Sequence, residues 1–268
     1  MTPLRNRAGP RLESPAVAGV FRTASLLAGP AFLQLVIPST CAACGAPRRG
    51  LGGGGLCRGC WIALPVLDPD AACAACALPD AAPFCRACAA ARPPVSRTVA
   101  VARYEGVARR LVHALKFRGH DILVAPAGER MAACARRLGG DFDAVVPVPS
   151  TKRRNRDRGY DPGRLLGEEV ARRLRLPFRP LLERLRDAAP QSTVPAAERR
   201  RNVRGAFGAT GSARGRRLLL VDDVMTTGAT AFEAARALRA AGAARVDLLV
   251  LARTPESSPL HPEHPEHE

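Results

Sequence analysis

Residues 218–230 read LLLVDDVMTTGAT. The four aliphatic residues Leu218 to Val221 have the length and apolarity of a strand buried on both faces. Asp222 and Asp223 follow, and the strand is expected to end at them. Such an ending puts both acids at the carboxyl edge of a sheet, where open α/β folds bind ligands. The next residues, Val224, Met225, Thr226, Thr227, Gly228, Ala229 and Thr230, make a small hydroxylated loop before an alanine-rich helix. Backbone N–H groups at a helix N-terminus converge on a phosphate, and the threonine hydroxyls add donors. Carboxylates repel a bare phosphate, so the acidic pair is expected to face hydroxyl groups or a cation. A sugar 5-phosphate satisfies both halves, with its phosphate on the loop and its ribose hydroxyls on the acids. A P-loop needs Gly-Lys-Ser/Thr and a dinucleotide fingerprint Gly-x-Gly-x-x-Gly, and neither pattern is present in this stretch. Simple capping of a helix would require only one such acid.

The surrounding chain alternates in the way a parallel sheet requires. Thr98–Arg103, Phe142–Val148 and Val246–Leu251 read as strands. Glu105–Phe117, Ile122–Leu138, Gly163–Leu174 and Thr230–Ala241 carry apolar stripes at helical spacing. This predicts an α/β fold, a mainly parallel sheet flanked by helices. The Leu218–Thr230 stretch closely resembles the substrate motif of type I phosphoribosyltransferases. That resemblance implies a ligand, phosphoribosyl diphosphate, and a second element that grips its diphosphate after an earlier strand. Ser150, Thr151, Lys152 and Arg153, in VPVPSTKRR, match that position in kind. Lys152 is one of only two lysines in the chain, the other being Lys116.

Upstream lies a cysteine-rich segment. Eight of nine cysteines form Cys-x-x-Cys pairs: Cys41/Cys44, Cys57/Cys60, Cys73/Cys76 and Cys85/Cys88. Two such turns complete a closed tetrahedral zinc site, so the segment predicts two structural Zn²⁺ ions. Sequential ribbons are the first choice, and a cross-braced pairing of the first turn with the third stays open. Disulfides would need an oxidising compartment, and a redox motif would not occur four times. Gly45 suits the tight turn after the first pair, whereas the other pairs have no following glycine. Cys134 stands alone in a helical pattern and reads as a small core residue.

The formal net charge is +17, of which +14 belongs to residues 97–215. Such a field attracts phosphates on nucleic acids or small molecules. Lys152–Arg158 holds five bases and one acid, and Glu198–Arg204 four bases and one acid. Arg153, Arg154, Arg156, Arg158, Arg199, Arg200 and Arg201 are therefore the candidate contacts to nucleic acid. Stacking platforms for bases are few beyond Trp61, Phe117 and Tyr160. No apolar run reaches the roughly 20 residues that span a bilayer, and the N-terminus lacks a clean signal-peptide layout. A cytoplasmic protein without a transmembrane segment is the expectation.

The order of motifs extends the resemblance. Cysteine ribbons precede ALKFRG (114–119), then VPVPSTKRRNRDRGYDP, QSTVPAAERRRNVRGAF (191–207) and VDDVMTTGAT. This progression resembles the ComF family of competence-associated proteins over roughly residues 30–253. It implies a phosphoribosyltransferase-type domain behind a double zinc ribbon, with Mg²⁺ accompanying phosphoribosyl diphosphate where the domain is active. It also implies a place in DNA uptake, with single-stranded DNA and the uptake machinery as partners. The expected organisation is a partly helical extension (1–37), the double ribbon (38–92), the phosphoribosyltransferase-type domain (95–253) and a disordered tail (254–268). Three departures stand out: Asp161-Pro162 replaces the Asn-Gln common in the family, Tyr160 replaces phenylalanine, and Gln191-Ser192-Thr193-Val194 stands where Gln-Thr-x-Leu is common. No aromatic-rich segment offers a hood for an acceptor base, so the residues identify the sugar phosphate and name no acceptor.

Overall fold

The protein is described by a computed structural model, which covers residues 40–47, 55–117, 121–151, 156, 158–186 and 203–254. The extension, the tail beyond Thr254, Lys152, Arg153, Arg154 and Arg199–Arg201 lie outside the described residues. Short helices α1 (Arg58–Ile62) and α2 (Arg86–Ala91) belong to the cysteine-rich segment. Then come β1 (Thr98–Arg103), α3 (Gly106–Phe117), α4 (Val124–Arg136), β2 (Ala144–Pro147) and α5 (Pro162–Leu174). The chain continues through β3 (Leu182–Arg184), β4 (Phe207–Ala209), β5 (Arg217–Met225), α6 (Ala229–Ala240) and β6 (Arg245–Arg253).

Four strands form one parallel sheet in the order β1-β6-β5-β2, and β3 pairs antiparallel with β4. A bridge from Val145 to Phe178 extends the sheet beyond β2. Strand residues alternate between two apolar layers, as a pleated sheet requires. Val99, Val101, Val145, Leu219, Val221, Leu249 and Leu251 face one layer with α3, α4 and α5. Ala100, Ala144, Val146, Leu218, Leu220, Leu248 and Val250 face the other, with α6 and the β3–β4 pair. Helix α5 lies close on the sheet because Gly167 has no side chain. A Cβ there would stand 3.2 Å from the Phe178 ring and 3.5 Å from Pro147.

The cysteine-rich segment straddles the free edge of β1. Cys41, Ala43, Leu56, Cys60 and Leu64 join the first layer, whereas Leu67, Cys73, Ala75, Cys76, Cys85 and Cys88 join the second. Between the two groups the backbone pairs with the edge strand itself. Leu67 N–H donates to Val101 O (3.0 Å), Arg103 N–H donates to Pro65 O (2.8 Å), and Val66 bridges Ala102 antiparallel. An otherwise open strand edge is thereby covered.

One expectation needs correction. The apolar run predicts a strand over 218–221 that ends at the acids, but β5 continues through Asp222 and Asp223 to Met225. It continues because β6 keeps pairing with it, Asp222 opposite Val250 and Met225 opposite Arg253. Backbone pairing with a long neighbour outweighs the low strand preference of aspartate.

Candidate sugar-phosphate site and cysteine centres

Strand β2 stops four residues before β5 does. Pro147 pairs with Val221, and Val148 N–H makes a last bond to Val221 O at 2.9 Å. Beyond that point Asp222–Met225 pairs with β6 and, among the described strands, with no other. This is the carboxyl end of the sheet, the usual ligand position in open α/β folds.

Three elements meet there. Asp223 Oδ2 forms an ion pair with Lys116 Nζ, at the end of α3, at 3.0 Å. Asp223 N–H donates to Asp222 Oδ1 at 2.8 Å. The start of α5 closes the third side: a Cβ on Gly163 would stand 3.4 Å from Val148 O and 3.9 Å from Asp222 Oδ1. Burial raises the Asp222 pKa well above the usual carboxylate range, and the neighbouring Asp223 charge adds to it. The Asp223 amide and Lys116 act in the opposite direction, and Asp161 adds slightly to the rise.

The loop after β5 leads directly into α6. Thr227 is buried and its Oγ1 accepts from Ala229 N–H at 3.4 Å, while Thr226 is exposed. Gly228 caps α6 with φ of +74°, in the left-handed region that a side chain disfavours. Gly228→Ala is expected to destabilise the protein by about 1 kcal/mol, read from urea unfolding, and to weaken phosphate binding through the displaced loop. Unchanged unfolding and binding would count against a constrained loop.

Ser150 is held by Asp161. Its N–H and Oγ donate to the two carboxylate oxygens at 3.2 and 3.1 Å, and Arg164 N–H donates to Asp161 Oδ1 at 3.2 Å. Asp161 is thus the N-cap of α5 and Pro162 its first residue, a position that needs no N–H. The departure from Asn-Gln therefore preserves the acceptor that this turn uses. Asp161→Ala should cost about 1 kcal/mol in chemical denaturation and release Ser150, whereas Asp161→Asn should cost less. Tyr160 Oη donates to Leu115 O at 2.6 Å, joining this turn to α3 beside Lys116.

Among the predicted site residues, Asp222–Thr230, Ser150 and Thr151 are described; Asp222–Met225 end β5, and Ser150 is bonded to Asp161 at the start of α5. Arg156 is exposed and Arg158 half-buried. Lys116 and Asp161 were missed as site residues. Asp-Pro before an apolar period is a recognised cap signal and marked Asp161; only the rarity of lysine marked Lys116.

The cysteines form two groups, Cys41/Cys44/Cys57/Cys60 and Cys73/Cys76/Cys85/Cys88, with ligand atoms within 4.8 Å of one another in each. This selects sequential over cross-braced pairing, and no disulfide forms among these cysteines. The Sγ–Sγ distances Cys44–Cys57 (3.7 Å) and Cys76–Cys85 (3.8 Å) match the edge of a tetrahedron with about 2.3 Å Zn–S bonds. Both groups suit Zn²⁺ in charge, ligand type and spacing.

The two groups repeat one architecture. Cys41 N–H donates to Ala46 O and Gly45 N–H to Cys41 O, as Cys73 N–H does to Leu78 O and Ala77 N–H to Cys73 O. Cys57 N–H donates to Cys41 Sγ (3.2 Å) and Cys85 N–H to Cys73 Sγ (3.3 Å), and these cysteines open α1 and α2. Gly45 sits at φ +74° and Ala77 at φ +52°. Alanine therefore takes the turn position expected of glycine, at a conformational cost of about 1 kcal/mol. The second group is wholly buried, whereas Cys44 in the first is exposed.

Comparison with known proteins places this architecture. The DNA utilization protein YhgH of Salmonella typhimurium is 34% identical over 229 residues, covering 82% of this chain and 100% of its own. The chain belongs to the ComF family. Competence protein F of Haemophilus influenzae is 35% identical over 115 residues, 41% of this chain and 50% of its own. Competence protein ComFC of Bacillus subtilis is 31% identical over 153 residues, 56% and 62% respectively. The phosphoribosyl transferase domain family matches residues 161–266, which include β5, the acidic pair and the loop. With the parallel sheet, that match makes this ComF protein's fold of the type I phosphoribosyltransferase kind. No described helix is long and apolar enough to cross a membrane.

Proposed function

We propose that the carboxyl end of the sheet, where β5 runs past β2, binds phosphoribosyl diphosphate in a cytoplasmic protein of natural competence and DNA utilization. One observation carries this: β5 runs past the end of β2, so that Asp222 and Asp223 lie at the carboxyl end of the sheet just before the Thr226–Thr230 loop that leads into α6. The loop amides and threonine hydroxyls would hold the 5-phosphate, and the two acids would accept from the ribose hydroxyls. Ser150, Thr151, Lys152 and Arg153 would meet the diphosphate, with lysine serving as a compact point charge. Lys116 lies beside the acids, where it offsets their mutual repulsion and leaves them free to accept hydrogen bonds. Mg²⁺ arriving with the diphosphate would neutralise its charge and steady it as a leaving group. The cysteine groups would carry structural Zn²⁺.

Titration calorimetry with phosphoribosyl diphosphate and Mg²⁺ tests the site directly. Wild type is expected to bind, and absence of heat and of competition by ribose 5-phosphate would overturn the reading. The names of the relatives and the basic surplus support single-stranded DNA as a further partner, met by Arg153, Arg154, Arg156, Arg158 and Arg199–Arg201. Its affinity should fall steeply with salt, since phosphate contacts release counterions, and a flat response would count against it. Pyrophosphate released on incubation with a panel of nucleobases and amines would add transferase activity to binding.

A further inference from the structure

Arg253, the last residue of β6, is fully buried. Its Nε donates to Cys76 O at 2.8 Å, inside the second cysteine group. Its Nη1 reaches Met225 O at 3.5 Å and donates to Thr254 O and Thr254 Oγ1, the latter at 3.0 Å. Thr254 N–H in turn donates to Met225 O at 3.1 Å. Met225 is the residue from which the Thr226–Thr230 loop departs. One guanidinium therefore spans the gap between the second cysteine group and the root of the phosphate loop.

The charge at this position explains why an arginine stands there. Bringing a guanidinium out of water is costly unless negative charge compensates it. The second cysteine group, which Arg253 meets at Cys76 O, is the source of such charge when it holds metal. Four thiolates around one Zn²⁺ carry a net charge of about −2, whereas a metal-free group of thiols carries far less. The rigid planar fork then lets the same side chain bond to two backbone carbonyls on different elements.

We infer that Arg253 is a positioning residue that couples the second cysteine group to the phosphate loop, so that metal at the one and sugar phosphate at the other favour each other. The part of this concerning sugar phosphate rests on the function proposed above; the coupling of the metal group to the loop does not. Linkage requires the effect to be reciprocal, and couplings of this kind change affinity by about 5-fold or more.

Hydrogen exchange on the full-length zinc-loaded protein tests the coupling without any ligand. The peptide covering Met225–Thr230 is compared in wild type, Arg253→Lys, Cys88→Ser, Cys44→Ser and the Arg253→Lys/Cys88→Ser double variant. Arg253→Lys keeps the charge and loses the fork, so it keeps the test open should a shorter or neutral side chain unfold the sheet. Exchange of the loop is expected to quicken about 5-fold or more in Arg253→Lys and in Cys88→Ser, and to stay at the wild-type rate in Cys44→Ser. The double variant should exchange no faster than Cys88→Ser, and Leu218–Val221 should remain protected throughout. Wild-type loop exchange in Arg253→Lys, or equal acceleration by Cys44→Ser, would overturn the inference. In a protein that binds phosphoribosyl diphosphate, saturation should also slow zinc release from the second group in wild type and not in Arg253→Lys. If wild type fails to bind that ligand while the exchange pattern holds, the ligand assignment falls and the coupling stands.

Discussion

Replacing Asp222 and Asp223 together by asparagine should weaken binding of phosphoribosyl diphosphate by about 100-fold while leaving the ligand-free protein folded. Hydrogen bonds to a charged group contribute about 1.5 kcal/mol or more each, and two such losses multiply to that factor. Asparagine keeps one acceptor oxygen and the shape, so the loss reports charge rather than packing. The single Asp222→Asn variant separates function from stability. The Asp222 pKa is raised in the folded protein by burial and by Asp223, so the folded state holds the proton more tightly than the unfolded chain. Stability from this group is therefore lost as pH rises from the ordinary carboxylate range through the raised value. Above that window the ionised acid is a cost, and asparagine removes it. Denaturant titrations from pH 4 to 8 should accordingly show Asp222→Asn gaining on wild type as pH rises, even as calorimetry shows weaker binding. An Asp222→Asn variant that fails to gain on wild type as pH rises would contradict the assignment of Asp222 to ligand rather than fold.

Cys73→Ser should lower the Tm of the protein far more than Cys44→Ser does, with the sheet still folded at 25 °C. Cys73 and Cys76 are 0% exposed and sit in the apolar layer with Leu67, Ala75, Val95 and Ala100, whereas Cys44 faces solvent. Structural zinc contributes on the order of 10 kcal/mol to the folding of small metal domains, and a group packed into the apolar layer passes part of that on to the sheet. Losing it from the second group also leaves three buried thiols and the Arg253 guanidinium without their ion. The first group lies nearer solvent, and its loss should be borne more locally. Native mass spectrometry for zinc stoichiometry, together with thermal unfolding, checks this. Equal destabilisation by the two variants would show that burial does not rank the groups.

How much of this could be read from residues alone depended on how each element is made. Strands β1 and β6 and helices α3 to α6 carry apolar residues at their own periods, and they lie within a few residues of where periodicity puts them. The end of β5 was not legible, because what extends it through Asp222 and Asp223 is the length of β6, a partner some thirty residues away. Helices α1 and α2, of five and six residues, have no apolar period; a ligand cysteine starts each of them. Strands β3 and β4, three residues each, are too short for a pattern to register. The cysteine ligand sets were legible from spacing, but not their distribution over two faces. Every residue of β1 up to Ala102 is buried, so its sequence gives no hint that Val99 and Ala100 meet different cysteine groups.

The strand order has a consequence for how the chain comes together. The last described strand, β6, lies inside the sheet, between β1 and β5, with Thr98 opposite Leu248. During synthesis, then, β1 would emerge already clasped by the cysteine segment but without its neighbour, and β5 would wait with only β2 beside it. The parallel sheet becomes continuous when the final segment threads between the two halves. Contacts so distant in sequence make for slow assembly and long exposure of unpaired strands. A cysteine segment that loads metal early and shields one side of β1 would act as a built-in guard over that interval, and zinc starvation should show first in newly made chains.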